Sequence, residues 1–508
     1  MMKIKKMKKN KSIAALIILN FLIFIAFLCF FSARWYITTY GDLGFDSILY
    51  TLLNGLGGVQ GGLILSFLLK SALPSVFGSL FVCLVLFFRC KKKLKISFFG
   101  GKQFNLYPFN KTFSSIMCVL LSLVLLISAA VHVGLDEYIV NSASKTLIFE
   151  EEYISPNQTE IIFPKQKQNL IYIYLESMET TYFDAQQGGA LSYNIIPELY
   201  ALAKDNVNFS HNDDVGGFKT ANGTSWTMGA LVAQTAGIPL KIPSNFADNT
   251  YGKDSFLKGA ISINNVLKDN GYQQVLMFGS DASFANRDRY FLDHDMDEIL
   301  DIYDARRDAV VAKDYSVWWG MEDKHLFTYA KTVLTELSQS GEPFSFTTLT
   351  VDTHHIDGYK CDLCGDEYPE QYENVMSCSS RQVFEFVEWL KAQPFYENTV
   401  IVISGDHLTM DSAYINRNVE KGYERHVYNC FINAKAQPQN TKNRTFTAMD
   451  MFPTTLAAMG CQIKGERLGL GTNLFSQTKT LSEELGYEEF NAQITKKSTY
   501  YNVEFIMS

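Results

Sequence analysis

Apolar residues form long unbroken runs near the N-terminus and much shorter runs farther along the chain. Residues 12–31, 72–88 and 113–133 contain no Asp, Glu, Lys or Arg and are long enough to cross a bilayer as helices. The segment 41–70 is only half apolar and contains seven glycines, which favours a re-entrant or interfacial element over a fourth span. The pattern therefore predicts three transmembrane helices.

From Asn169 onwards, short apolar runs alternate with segments of helical periodicity. Residues 170–175 are apolar or aromatic throughout, as expected for a strand buried on both faces of a parallel sheet. Helical periodicity is clear over 379–392. This alternation predicts an α/β fold with a mostly parallel sheet covered by helices. The other predicted strands are 274–278, 344–351 and 399–404.

The charges are distributed as unevenly as the apolar residues. Of the 45 Lys and Arg residues, 15 lie before residue 136, but only two of the 53 Asp and Glu residues do. The acidic remainder should not bind nucleic acid, because phosphate contacts need a basic surface. Six lysines in residues 3–11 and a second basic cluster over 89–95 should stay in the cytoplasm, which places everything after residue 135 outside it.

The chain is too long for one ordinary domain, and a content of 47% hydrophobic and 19% charged residues is typical of a membrane protein. We expect a membrane domain with three transmembrane helices, a polar connector and an extracytoplasmic domain. The boundaries are 1–135, 136–168 and 169–508.

Three of the nine cysteines, Cys361, Cys364 and Cys378, fall within eighteen residues of the polar part. A structural zinc site would need a fourth ligand, and none is obvious from the spacing. A local disulfide is favoured over zinc if this part of the chain is exported, because disulfides persist in oxidising compartments.

Side chains suited to metal binding stand where predicted strands end. Glu176 follows the strand 170–175 directly, and Gly405 alone separates the strand 399–404 from Asp406 and His407. Ligands of open α/β sheets bind at the carboxyl ends of the strands. A single Glu there would more often be a solvated loop acid, but two strands that end in this way predict a metal site. Oxygen ligands with one imidazole suit Mn²⁺, Mg²⁺ or Zn²⁺.

Two further polar clusters are the Gly223-Thr224-Ser225 turn and the run from Asp352 to His355. A hydroxyl beside a divalent ion loses its proton more readily and becomes a nucleophile, so Thr224 is the candidate nucleophile. Taken alone, Thr224 is more simply interpreted as the N-cap of a following helix, and capping would not exclude catalysis.

Six blocks of sequence resemble the phosphoglycerol transferase I family, which modifies periplasmic glucans, and they occur in the family's order. The chain is more distantly similar to lipoteichoic acid synthases and to the sulfatase-like branch of the alkaline phosphatase superfamily. The resemblance covers nearly the whole chain and implies an alkaline-phosphatase/sulfatase-like domain. The blocks are NLIYIYLES, the Gly-Thr-Ser turn with WTMGALVAQTAGIPL, SFANRDRYF, TLTVDTHHIDGY, VIVISGDHLTM and ERLGLGTNLFS.

The resemblance implies a role for each matching residue. One divalent metal ion, Mn²⁺ before Mg²⁺ or Zn²⁺, would be bound by Glu176, Thr224, Asp406 and His407, and Thr224 would also be the nucleophile. Arg287 would hold the substrate phosphate, a task that suits a bidentate guanidinium. His354 would contact the phosphoglycerol group.

Other positions bear on how closely the chain follows the family. Cys364 and Cys378 resemble a cysteine pair of the transferases, which makes Cys361 the odd thiol. Ala285 stands where the synthases carry a tryptophan, so the acceptor pocket is expected to differ. The transferases also continue beyond the position that matches Ser508, so any role of that extension is absent from this sequence.

The family implies a multi-pass enzyme of the bacterial inner membrane that acts on its extracytoplasmic side. It would move phosphoglycerol from phosphatidylglycerol to a glycan through a phosphothreonine-type intermediate and release diacylglycerol. The alternatives are a phosphoethanolamine transferase, whose relatives usually have more spans, or a polymerase similar to lipoteichoic acid synthases. A sulfatase would need a Cys or Ser, a Pro or Ala two residues later and an Arg two residues after that, and the Thr224 turn lacks this pattern. A non-enzymatic membrane protein would have no reason to keep these residues together.

Overall fold

The computed structural model describes residues 2–41, 43–54, 61–87, 94–97, 103–107, 109–242, 255–315 and 317–507. The chain divides into two compact units, one with residues 1–45 and 59–139 and the other with residues 46–58 and 140–508. The N-terminal elements are α1 (Met2–Tyr40), α2 (Phe45–Asn54), α3 (Gly61–Phe67), α4 (Leu73–Phe87), β1 (Leu94–Ser97), β2 (Gln103–Tyr107), α5 (Lys111–His132) and α6 (Leu135–Ala143).

Three helices among the described residues are long and apolar enough to span a membrane: Ala14–Tyr40, Gly62–Phe87 and Lys111–His132. Their number agrees with the sequence prediction. The second helix begins earlier than predicted, because a π-helical turn at Leu68–Ala72 joins α3 to α4. Residues 89 and 91–93 of the predicted basic cluster lie outside the described part of the chain.

In the first unit several small and polar side chains are buried, and many large apolar side chains are exposed. Ser71, Ser75 and Ser114 are fully buried, whereas Phe81 is 68% exposed. Gly78 of α4 permits close packing against α1, because a Cβ there would lie 3.2 Å from the ring of Phe27. Small interior residues with outward apolar side chains are typical of helices that pack in lipid.

The second unit is built on a sheet of seven described strands in the order β5, β10, β9, β4, β8, β6, β7. The five strands from β9 to β7 are parallel, and β10 is antiparallel to both of its neighbours. Every residue of β4 is buried, as predicted for a central strand. The strands are β3 (Ile161–Ile162), β4 (Asn169–Leu175), β5 (Gly217–Phe218), β6 (Gln273–Phe278), β7 (Glu298–Leu300), β8 (Phe344–Leu349), β9 (Thr399–Gly405), β10 (Val427–Ile432), β11 (Gln462–Ile463), β12 (Arg467–Leu468) and β13 (Gly471–Thr472).

Helices cover both faces of this sheet. Ile171 and Ile173 of β4 share an apolar core with residues of α8, α13 and α14, while Tyr172 donates a hydrogen bond to Gln234 of α9 on the opposite face. The helices are α7 (Ile148–Glu152), α8 (Pro197–Asp205), α9 (Thr227–Ala236), α10 (Ile263–Asp269), α11 (Arg287–Asp293), α12 (Ile302–Arg307), α13 (Asp323–Ser338), α14 (Gln371–Lys391), α15 (Ser412–Asn418), α16 (Met451–Ala458), α17 (Leu481–Leu485) and α18 (Tyr487–Thr495).

The predicted α/β architecture is confirmed, and all four predicted strands are present in the parallel part of the sheet. The helix predicted over 379–392 begins eight residues earlier, at Gln371. Its first two turns bury the polar Glu373, Asn374 and Ser377 beside apolar residues, so hydrophobic periodicity did not reveal them. The prediction also omitted β10, which interrupts the parallel pattern.

Candidate active site

Two neighbouring strand ends bring three ligand-type side chains together. Leu175 of β4 pairs in register with Gly405 of β9, so Glu176 and Asp406 leave the sheet side by side. Metal-binding atoms of Glu176, Asp406 and His407 all lie within 4.8 Å of one another, and all three residues are buried. We call these three side chains the metal edge. Gly405 makes the approach of β9 feasible, because a Cβ there would lie 2.0 Å from the Met178 carbonyl oxygen.

The hydrogen bonds around the metal edge leave its ligand atoms directed inwards. Asp406 Oδ1 accepts from the backbone N–H groups of Ser177 and His407, at 2.8 and 2.7 Å. Asp406 Oδ2 is buried without a hydrogen-bond partner among the described residues. His407 Nδ1 donates to the Leu408 carbonyl oxygen at 2.8 Å, so Nε2 faces the two carboxylates and lies 3.3 Å from Asp406 Oδ2.

This arrangement fits a divalent cation. Burial, and next the neighbouring Glu176 carboxylate, raise the pKa of Asp406 to about 7. Two buried carboxyl groups and an unpaired carboxylate oxygen are costly unless a positive charge lies between them. The residues present therefore match the donor set that the sequence predicted for a metal ion.

Thr224 lies in a tight turn before α9. Its Oγ1 accepts the Ala221 N–H at 2.9 Å and donates to the Ala221 carbonyl oxygen at 2.8 Å. Gly223 has a φ of +81°, and a Cβ there would lie 2.8 Å from the Leu240 carbonyl oxygen. The N-cap of α9 is Trp226, so the interpretation of Thr224 as the helix cap is wrong.

Thr227, which the sequence analysis did not single out, links this turn to the metal edge. Its hydroxyl lies 3.2 Å from His407 Nε2. The contact brings the first residue of α9, three positions after Thr224, to the metal edge. Thr227 follows Thr224 closely in the sequence, but no sequence pattern indicates that a hydroxyl at the start of a helix will contact a distant histidine.

Arg287 is almost fully buried within an aromatic enclosure. Its guanidinium carbon lies 4.3 Å from the ring centre of Phe278 and 6.0 Å from that of Trp319. Nη2 donates to Ser280 Oγ at 2.8 Å, whereas Nε is buried without a hydrogen-bond partner among the described residues. Burial lowers the pKa of Arg287 to about 10, opposed chiefly by Glu176, so the group remains a cation at neutral pH.

His354 shares this enclosure. Its ring centre lies 4.7 Å from that of Trp319, and its Nδ1 donates to the His355 carbonyl oxygen at 2.9 Å. Burial lowers the pKa of His354 to about 4, so the imidazole is neutral and its Nε2 is a hydrogen-bond acceptor. Trp319 was not singled out from the sequence, although adjacent tryptophans in a polar segment are a usable signal.

The neighbours of His354 in the sequence have supporting roles. Asp352 Oδ2 accepts the backbone N–H of Asp323 at 3.1 Å, and Thr353 donates from its hydroxyl to the Glu176 carbonyl oxygen at 2.6 Å. Asp352 therefore anchors the loop that carries His354. The Cys364–Cys378 disulfide implied by the family resemblance stays a prediction. In the structure Cys361, Cys364 and Cys378 lie together as free thiols.

Comparison with known proteins defines the class. A sequence model of the sulfatase family matches residues 168–461, more than half of the chain. The chain therefore belongs to the sulfatase family, and its second unit has the alkaline-phosphatase/sulfatase-like fold.

More specific similarity is to named transferases. Phosphoglycerol transferase I of Citrobacter koseri is 34% identical over 348 residues, which cover 66% of this chain and 42% of that protein. Phosphoglycerol transferase I of Escherichia coli is 33% identical over 339 residues, which cover 65% of this chain and 41% of that protein. The match thus spans less than half the length of these relatives.

A solved membrane protein shares the fold. Lipooligosaccharide phosphoethanolamine transferase A of Neisseria meningitidis aligns with a TM-score of 0.50 at 12% identity, over 88% of this chain and 84% of that protein. At this identity the likeness concerns the fold alone.

Proposed function

We propose that the protein is a membrane-anchored, metal-dependent transferase that moves phosphoglycerol from phosphatidylglycerol to an extracytoplasmic glycan and releases diacylglycerol. The observation that carries the proposal is the buried metal edge, linked by Thr227 to the helix that follows Thr224. The similarity to phosphoglycerol transferase I supports the choice of transferred group.

Glu176, Asp406 and His407, together with Thr224 Oγ1, would hold one ion, for which we propose Mn²⁺. When bound, such an ion lowers the pKa of a neighbouring hydroxyl and offsets negative charge on phosphate oxygens. The Ala221 N–H that donates to Thr224 Oγ1 would also stabilise this oxygen as an alkoxide, because a donor to the charged form favours it.

The reaction would proceed in two displacements at one phosphorus atom. Thr224 Oγ1 attacks the phosphorus of the lipid, and the bond to the diacylglycerol oxygen breaks, so that diacylglycerol leaves once that oxygen gains a proton. A hydroxyl of the glycan then attacks the same phosphorus, loses its proton and releases Thr224. Each step exchanges one P–O ester bond for another and leaves a phosphodiester, so no redox partner is needed.

Arg287 and His354 would position the transferred group. The guanidinium, enclosed by aromatic rings that exclude water, would bind the non-bridging oxygens and stabilise their charge in both steps. The neutral His354 offers an acceptor nitrogen to a glycerol hydroxyl. A positively charged ethanolamine headgroup would be less favourable here, because the site also contains the buried cation of Arg287.

Labelling the donor headgroup tests the proposal. Purified full-length protein with Mn²⁺ and glycerol-labelled phosphatidylglycerol, without acceptor, should carry the label on a peptide that contains Thr224. Ethanolamine-labelled phosphatidylethanolamine in the same vesicles should leave no label. The reverse preference would establish a phosphoethanolamine transferase instead, and absence of both labels with no diacylglycerol release would contradict a transferase.

We further propose that the second unit lies outside the cytoplasm, since the two basic clusters would otherwise be translocated. A bacterial alkaline phosphatase fused after residue 150 should be active, and a reporter that functions only in the cytoplasm should be inactive there. The opposite pair of results would contradict the three-span topology.

A further inference from the structure

Three cysteines gather beside the loop that carries His354, at a place that the proposed reaction does not use. Cys361 Sγ lies 3.5 Å from Cys364 Sγ and 3.8 Å from Cys378 Sγ. All three sulfurs lie within 4.8 Å of one another. Cys361 and Cys378 are buried, and Cys364 is half-buried. The group is therefore a preformed cluster of thiols rather than three unrelated side chains.

The spacing suits thiolates that share one cation. Zn–S bonds of about 2.3 Å at tetrahedral angles place neighbouring sulfurs about 3.8 Å apart. A disulfide between any two of the cysteines would leave the third as a thiol packed against the disulfide. We propose that Cys361, Cys364 and Cys378 bind a zinc ion, separate from the ion at the metal edge and independent of the proposed transfer reaction.

Gln382 completes the site. It stands one turn after Cys378 on α14, is 7% exposed, and has its Nε2 3.4 Å from Cys378 Sγ. Its Oε1 is buried without a hydrogen-bond partner among the described residues. Exchanging the two amide atoms, which have nearly the same shape, directs the carbonyl oxygen at Cys378 Sγ in place of Nε2. The oxygen is then the fourth ligand.

The neighbouring carboxylates are less suited to this position. Glu322 and Asp362 each have a ligand atom within 4.8 Å of Cys361 Sγ. However, Asp362 pairs with Lys324 at 2.5 Å. The Glu322 carboxylate accepts from the Tyr315 hydroxyl at 2.6 Å and pairs with Lys324 at 3.1 Å. Both carboxylates are thus already neutralised by other partners.

Zinc at this place would connect a loop to a helix. Cys361 and Cys364 lie in the loop after His354, and Cys378 lies in α14. A metal that holds both would fix the loop against the helix. Structural zinc sites stabilise folds in this way because the bound state requires the ligands to be in place.

The test separates the two metals. Full-length protein with Glu176→Ala, purified in detergent without chelator, should retain one zinc ion per chain by inductively coupled plasma mass spectrometry. Adding Cys378→Ser should remove it, whereas adding Cys430→Ser should not. Cys430 is a matched control, because it is also a buried thiol but donates to the Leu202 carbonyl oxygen.

A spectroscopic measurement covers the outcome in which Cys378→Ser does not fold. Cobalt exchanged into the Glu176→Ala protein should give sulfur-to-metal charge-transfer absorption, and Cys364→Ser, which alters the most exposed of the three ligands, should reduce it strongly. Equal zinc in the Cys378→Ser and Cys430→Ser proteins would overturn the proposal. So would a peptide map in which two of the three cysteines are joined as a disulfide.

Discussion

Two buried aspartates of the second unit, Asp406 and Asp450, have similarly raised pKa values but different hydrogen-bond partners. Asp406 at the metal edge and Asp450 before α16 are 0% and 3% exposed, and burial raises the pKa of each to about 7. Asp450 Oδ1 accepts the Thr472 N–H, and Oδ2 accepts the Thr447 N–H, both at 2.8 Å. Asp406 Oδ2 has no such partner among the described residues.

The comparison shows that a raised pKa by itself does not identify a functional carboxylate. We define the Asp450 group as Asp450, Thr447, Thr454 and Thr472. Its carboxylate accepts hydrogen bonds from backbone N–H groups inside the fold. The metal edge leaves an acceptor unpaired next to a second carboxylate and an imidazole. Unpaired acceptors in a convergent cluster are the more specific sign of a ligand site.

The largest expected difference concerns two buried threonines. Thr224→Ala should abolish diacylglycerol release, because it removes the proposed nucleophile, while Thr224→Ser should retain part of it. Thr454→Ala removes a hydroxyl that donates to the Asp450 carbonyl oxygen, so it should leave activity intact and lower the free energy of unfolding by about 1–3 kcal/mol. Lipid turnover and denaturant unfolding measure the two effects. Normal turnover by Thr224→Ala would remove this residue from the chemistry.

Substitutions of the two aspartates should differ in their effect on metal affinity. Asp406→Asn replaces a charged ligand, and we expect Mn²⁺ affinity to fall by more than the roughly 10–100-fold seen when only a supporting residue is lost. Asp450→Asn should bind Mn²⁺ normally but unfold more easily, because an amide nitrogen would face a backbone N–H. Isothermal titration of each purified variant checks this, and unchanged Mn²⁺ affinity in Asp406→Asn would contradict the metal edge.

The same contrast extends to two buried arginines. Arg287→Lys should lower kcat/KM by about 10²–10³, because a lysine cannot replace the proposed two-point contact with phosphate. Arg444 lies against Glu483 at 2.6 Å, so Arg444→Lys should change stability and leave kcat/KM near the wild-type value. A similar loss of kcat/KM in both variants would indicate a general loss of folded protein, which the unfolding curve would reveal.

The last expected effect is a pH dependence of stability. The pKa of Asp450 is about 7 in the folded protein against an ordinary value of 3.8, so the folded state binds more protons between these two pH values. Stability should therefore fall as pH rises from about 4 to about 7, by at most about 1.4 kcal/mol per pH unit from this group. Asp450→Asn should remove this contribution, so its free energy of unfolding should depend less steeply on pH than that of the wild type. Parallel profiles for the two proteins would show that Asp450 titrates normally.

The local pattern of the sequence determined much of the architecture. Uncharged runs of bilayer length identified three membrane helices, and the apolar run before Glu176 identified the central strand, because burial on both faces leaves no polar position in the pattern. The strand ends also predicted that Glu176, Asp406 and His407 would meet, since parallel neighbours in register deliver their following residues to one edge.

Tertiary structure alone decided what surrounds these residues. Trp319 reaches Arg287 and His354, and Thr227 reaches His407, although none of these contacts follows a local period. Each one joins segments that are distant in sequence, so it depends on how helices pack on the sheet and not on local propensity. For the same reason the sequence could not distinguish Asp406 from Asp450: burial perturbs both carboxyls alike, and only the folded chain shows which of them keeps an oxygen unpaired.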